Sequence, residues 1–93
     1  YNMDEKINAL AELFMETGHA HHQAYIETDG ADDDWAIWYA NYLHEKMADH
    51  IGVTSHRSEL VYLLMHMSYL QAMDAPSAKW PRYYAKYLLE RYL

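Results

Sequence analysis

A chain of 93 residues, 52% apolar and without cysteine, is long enough for one modest core and cannot hold disulfides or thiolate metal sites. Its net charge of −7 is uneven: residues 1–50 set eleven acids against Lys6 and Lys46, a balance of −9, whereas residues 51–93 carry +2. That excess of acids argues against nucleic acid or an anionic membrane as a partner, and no apolar run approaches the ~20 residues of a membrane span.

No charged n-region, apolar h-region and cleavage site open the sequence, Met3 reads as a candidate start, and the expected compartment is the cytoplasm. From Asp4 to Glu27, Ile7, Leu10, Phe14, Gly18, His21 and Tyr25 recur at helical spacing, which predicts a first helix. The turn-rich run from Thr28 to Asp34 ends it, and its aspartates are expected to cap a second helix from about Asp33 to Ile51. Gly52 stands where a C-terminal cap belongs, and Thr54 or Ser55 can open a third helix through about Met73, with Leu60, Leu63, Leu64, Met67 and Leu70 as its stripe. Asp74 to Ser77 breaks the chain, and Pro81 suits the first turn of a fourth helix reaching the terminus. No segment alternates with period two, so the expected fold is all-α.

The sequence WAIWYANYL from Trp35 returns as WPRYYAKYL from Trp80, pairing Tyr39 with Tyr84, Ala40 with Ala85, Tyr42 with Tyr87 and Leu43 with Leu88. An offset one residue longer brings Phe14 onto Leu60, Gly18 onto Leu64 and His21 onto Met67. The chain therefore reads as a single domain over residues 1–93, built of two related αα-hairpins at about 4–51 and 55–93, packed as an antiparallel four-helix bundle.

In each hairpin the repeat lays a small aliphatic arc, Ala36, Ala40, Leu43 and Met47 in the first, beside an aromatic one. The aromatic residues are Trp35, Trp38, Tyr39 and Tyr42 in one copy and Trp80, Tyr83, Tyr84 and Tyr87 in the other. Three roles suit such arcs: rings lining the outer seams of the bundle, a homodimer or partner-protein interface, or the wall of a small-ligand pocket.

The histidines are the other candidates. His21 falls on the apolar stripe of the first helix, His22 flanks it, and His19 lies on the polar side with Glu12 and Glu16, so the three do not converge on one ion. Glu16 and His19 match the Glu-x-x-His spacing of di-metal bundles, but the second copy such a site needs is missing. His44 and His50 are too far apart for a zinc-protease helix, and the acidic loop lacks the glycine and terminal acid of a calcium-binding loop. No metal and no cofactor are expected. An imidazole on an apolar stripe needs a partner, and a backbone carbonyl or tyrosine hydroxyl is the expected one for His21. His66, near Tyr62, Tyr69 and Met73, is a second polar candidate for a cleft. No catalytic residue is assigned: there is no cysteine, nucleophile elbow or phosphate-binding loop.

The succession HAHHQAYIETDGADDDWAIWYANYL, TSHRSELVYLL and WPRYYAKYL resembles a group of short bacterial all-helical proteins of uncharacterised function with a repeated W-P-x-[WY]-Y-A-x-Y-L motif. Ala36 replaces the expected proline in the first copy and Pro81 keeps it in the second; the resemblance carries no activity over. The expected function is that of a non-enzymatic binding or accessory protein whose Trp/Tyr-rich faces mediate homodimerisation or partner binding. The alternatives are a small-ligand or metal-binding bundle with Trp38, Tyr42, His21, His22 and His66 around a pocket, and a small enzyme with His21 or His66 as general base.

Overall fold

Asn2 closes the first turn of α1 (Met3–Ala24): its Oδ1 accepts the Glu5 N–H at 2.8 Å, and Asp4 and Glu5 complement the positive end of the helix. The structure, a computed structural model, describes residues 2–52 and 55–92, the side chains of His50 and Ile51 excepted. α1 stops short of the expected Glu27. Tyr25 leaves the helical region at φ −117° and ψ 35°, and its carbonyl accepts the Gly30 N–H at 2.8 Å across a 3-10 turn, Ile26–Thr28. The turn ends through two left-handed residues, Asp29 at φ 55° and Gly30 at φ 87°. A Cβ on Gly30 would lie 2.8 Å from His22 Nδ1, so position 30 needs glycine for both its φ and its space.

α2 (Trp35–Ile51) begins later than expected because Asp34 occupies the cap position without a side-chain cap bond, while Asp32 Oδ1 takes the Asp34 N–H at 3.0 Å. Gly52 ends α2 in the left-handed conformation, its N–H on the Ala48 carbonyl, as its place in the sequence implies. α3 (Arg57–Asp74) opens at His56 with no side-chain cap; Ser55 does not cap it but meets the Tyr92 hydroxyl instead, and Thr54 lies outside the described residues. Gln71 Nε2 donates to the Ala78 carbonyl at 2.7 Å and ties down the turn into α4 (Trp80–Tyr92), whose first turn contains Pro81.

Each helix packs on its neighbours in the chain, and α4 closes on α1, giving an antiparallel four-helix bundle of two related αα-hairpins. Among the described residues no helix is long and apolar enough to cross a membrane. The core takes Ile7, Leu10, Leu13 and Phe14 from α1 and the aliphatic arc Ala36, Ala40, Leu43 and Met47 from α2. α3 adds Leu60, Leu63, Leu64 and Met67, and α4 adds Tyr84, Ala85, Leu88 and Leu89. Leu70, expected on the α3 stripe, is only half-buried.

The repeat is visible in three dimensions. Trp35 meets Tyr39 edge-on with ring centroids 5.3 Å apart, and Trp80 meets Tyr84 edge-on at 5.5 Å. Phe14, Thr17 and His21 are buried, as are their register partners Leu60, Leu63 and Met67. The halves differ at Gly18, opposite Leu64, because the Trp80 ring lies 3.2 Å from where a Cβ would stand. Trp80 and Tyr84 also meet the buried Phe14 ring edge-on, at 6.1 and 5.5 Å, so one aromatic cluster joins α1 to α4. Phe14→Ala is expected to lower unfolding stability by about 3–5 kcal/mol in urea melts followed by circular dichroism. A loss below about 1 kcal/mol would contradict that role for the cluster.

Candidate functional site

A histidine in the buried stripe of a helix must find a hydrogen-bond partner or cost the bundle stability. His21 is 6% exposed, and its partner comes from the turn between α1 and α2: Nε2 lies 2.9 Å from Asp32 Oδ2, with both side chains 8% exposed. The partner is thus a carboxylate, not the expected carbonyl or tyrosine hydroxyl. The other oxygen of Asp32 takes the Asp34 N–H, and the nearby Tyr25 hydroxyl adds a small influence that favours the carboxylate. The hydrogen bond from His21 is the largest of the influences that hold the Asp32 carboxyl below its ordinary pKa of 3.8, against the effect of desolvation. An ionised carboxylate can only accept, so the proton between the two groups sits on His21 Nε2.

Aromatic rings enclose the imidazole. Tyr25 stacks on it at 4.9 Å, Trp38 meets it edge-on at 5.2 Å and Tyr39 is tilted against it at 5.3 Å. The series continues down the α1–α2 seam: Trp38 stacks on Tyr42 at 5.4 Å, and Lys46 Nζ lies 5.0 Å from the centre of the Tyr42 ring. The Tyr42 hydroxyl donates to Glu16 Oε2 at 2.5 Å, and that bond, ahead of burial, raises its pKa. The His–Asp pair has the residue types of a general base with its orienting acid, yet Tyr25 covers one face of the ring, Trp38 and Tyr39 pack against it, and little of it meets solvent. The role its geometry supports is structural, fastening the turn to α1.

The other predicted site residues are dispersed. His22 is half-exposed and points into the turn, 3.8 Å from Asp29. His66 stacks on Tyr62 at 5.6 Å and meets Tyr87 edge-on at 6.2 Å, sharing no ring neighbour with His21. Tyr69 and Met73, its expected neighbours on α3, are more than 60% exposed on the outer face of that helix. Among the described residues no group of three or more histidines and acids is placed to hold a metal ion.

The two aromatic arcs lie in seams. Trp35, Trp38, Tyr39, Tyr42, Trp80, Tyr83 and Tyr87 are half-buried and Tyr84 is buried. Burial raises the pKa of both Tyr39 and Tyr84. Tyr92, whose hydroxyl bonds Glu59, is pushed up to about 12 by burial first and by that bond second. Asp32 and Tyr25 were not legible as partners of His21, because a turn aspartate is equally at home as a cap. Comparison with known protein families, curated proteins and solved structures finds no match.

Because the folded pKa of Asp32 is depressed, the unfolded chain binds its proton more readily, and acid favours unfolding. The contribution of the pair is complete above the ordinary carboxylate value and is lost as pH falls from about 4 toward the lower folded value. Thermal melts from pH 7 to pH 3 are expected to show Asp32→Asn melting below the natural protein at pH 7, with the gap shrinking below about pH 4. A gap that stays constant or grows as pH falls below about 4 would contradict this.

Proposed function

We propose that this chain is a non-enzymatic, cytoplasmic interaction protein that presents the outer face of α3 to a helix of another protein chain. The observation that carries this reading is a stripe of exposed apolar side chains on one helix. Tyr62, Met65, Tyr69 and Met73 are 63%, 55%, 62% and 64% exposed, and their spacing puts them on one face. Leu60, Leu63, Leu64 and Met67 of the same helix fill the core, and no Asp, Glu, Lys or Arg occurs from Leu60 to Met73. A helix apolar on two faces keeps one for its own bundle and has the other to give to a partner. The arcs of α2 and α4, the other candidate interface, spend much of their surface in seams against α1.

A ligand-binding reading has its own support away from the histidines. A hollow of about 790 Å³ between α1 and the start of α4 is lined by Met15, Trp80 and Pro81 together with the charged Glu12 and Lys79. Native mass spectrometry of freshly purified protein tests it: a retained small-molecule mass favours that reading, and bare protein counts against it.

For the interaction reading, a photo-cross-linking residue at position 65 is expected to give a protein adduct in the cells that make the chain. The same residue at Ile37, exposed on α2, is the control. Tyr69→Glu should abolish the adduct while changing stability by no more than about 0.5 kcal/mol, whereas Trp38→Ala with Tyr83→Ala should leave it in place. An adduct lost only in the Trp38/Tyr83 variant would return the role to the aromatic arcs. No adduct at position 65 would overturn the reading.

A further inference from the structure

The exposed stripe on α3 has a property that selects among partners: read in either direction it alternates Tyr and Met. We infer that the partner is a second copy of this chain, its α3 packed antiparallel against the first about a twofold axis level with residues 67 and 68; this rests on the reading of α3 as the interaction face. That register places Tyr62 opposite Met73 of the second copy and Met65 opposite Tyr69 of the second copy, and the same contacts recur on the other side of the axis. Every tyrosine ring thereby meets a thioether sulfur, a favourable pairing at about 5 Å from ring to sulfur. A parallel pairing would set Tyr on Tyr and Met on Met and lose all of those contacts.

Charge and area agree with self-pairing. A chain of net charge −7 approaches its own copy at a cost unless the meeting surfaces avoid the acids. Residues 60–73 carry no Asp, Glu, Lys or Arg and belong to the half whose balance is +2, while the −9 half supplies α1 and α2. At ordinary side-chain areas of roughly 200 Å², the four residues expose about 500 Å² per copy, so a pair can bury up to about 1,000 Å² from them, the floor for a specific interface. The expected complex is a reversible dimer.

Sedimentation equilibrium over a concentration series tests the association. The natural chain should pass from monomer to dimer, and Tyr69→Glu should raise the dissociation constant by at least about tenfold with an unchanged helical spectrum. The absence of cysteine allows the register to be read directly. An equimolar mixture of Met65→Cys and Tyr69→Cys chains, gently oxidised, should form the mixed disulfide, while neither variant alone should cross-link efficiently. Self-linking of either variant in preference to the mixture would overturn the antiparallel register. A natural chain that stays monomeric at millimolar concentration would overturn self-pairing. An adduct between residue 65 and a different protein would likewise overturn self-pairing but leave α3 as the interaction face; no adduct at all would remove both.

Discussion

The bond between His21 Nε2 and Asp32 Oδ2 ties the longest described turn of the chain to the helix that precedes it. An imidazole buried in α1 needs a polar partner, and the turn that leads into α2 supplies it in Asp32. One oxygen of that carboxylate meets His21 and the other takes the Asp34 N–H just before Trp35 begins α2. The left-handed pair Asp29 and Gly30 brings the turn back over His22, so Asp32 arrives beside His21. From α2, Trp38 and Tyr39 pack against the same imidazole, and the ring series toward Tyr42 and Lys46 continues down the α1–α2 seam.

At the opposite seam of α1 an aromatic cluster plays a comparable part. Trp80 lies over Gly18 and touches Phe14, Tyr39 and Tyr84, joining α4 to α1 and reaching toward α2. The duplicated Trp/Tyr sequence thus has one local geometry, the edge-on pair four residues apart, with two tertiary surroundings. Trp80 has the space above a glycine, whereas the register partner of Gly18 is a buried leucine, Leu64. The two related hairpins share this local contact and differ in what packs against it.

Much of the fold is legible in the sequence because it rests on local chemistry. Gly52 and Pro81 mark a helix end and a helix beginning whatever surrounds them, and the aliphatic arc from Ala36 to Met47 announces its own burial. Features set by tertiary contact are not legible in that way. The helix ending at Ala24 and the late start of α2 go with the turn between them, and the choice of Asp32 among the four acids from Asp29 to Asp34 follows from where His21 lies in space. The outer face of α3 was obscured for another reason. Leu60, Leu63, Leu64 and Met67 suffice to define an amphipathic helix, so Tyr69 and Met73 read as companions of His66 until the fold turned them outward.

If the most suggestive acid–base pair in the chain is a structural fastening, activity is to be sought on the surface. Long-range proton–nitrogen NMR of the histidine side chains tests this most directly, because it reports which imidazole nitrogen holds the proton and how quickly that proton leaves. The expected result is a slowly exchanging Nε2–H on His21, distinct from the rapidly exchanging ring of exposed His19. A His21 ring protonated on Nδ1 alone, or one exchanging with water as fast as His19, would contradict the fastening and reopen the site to chemistry.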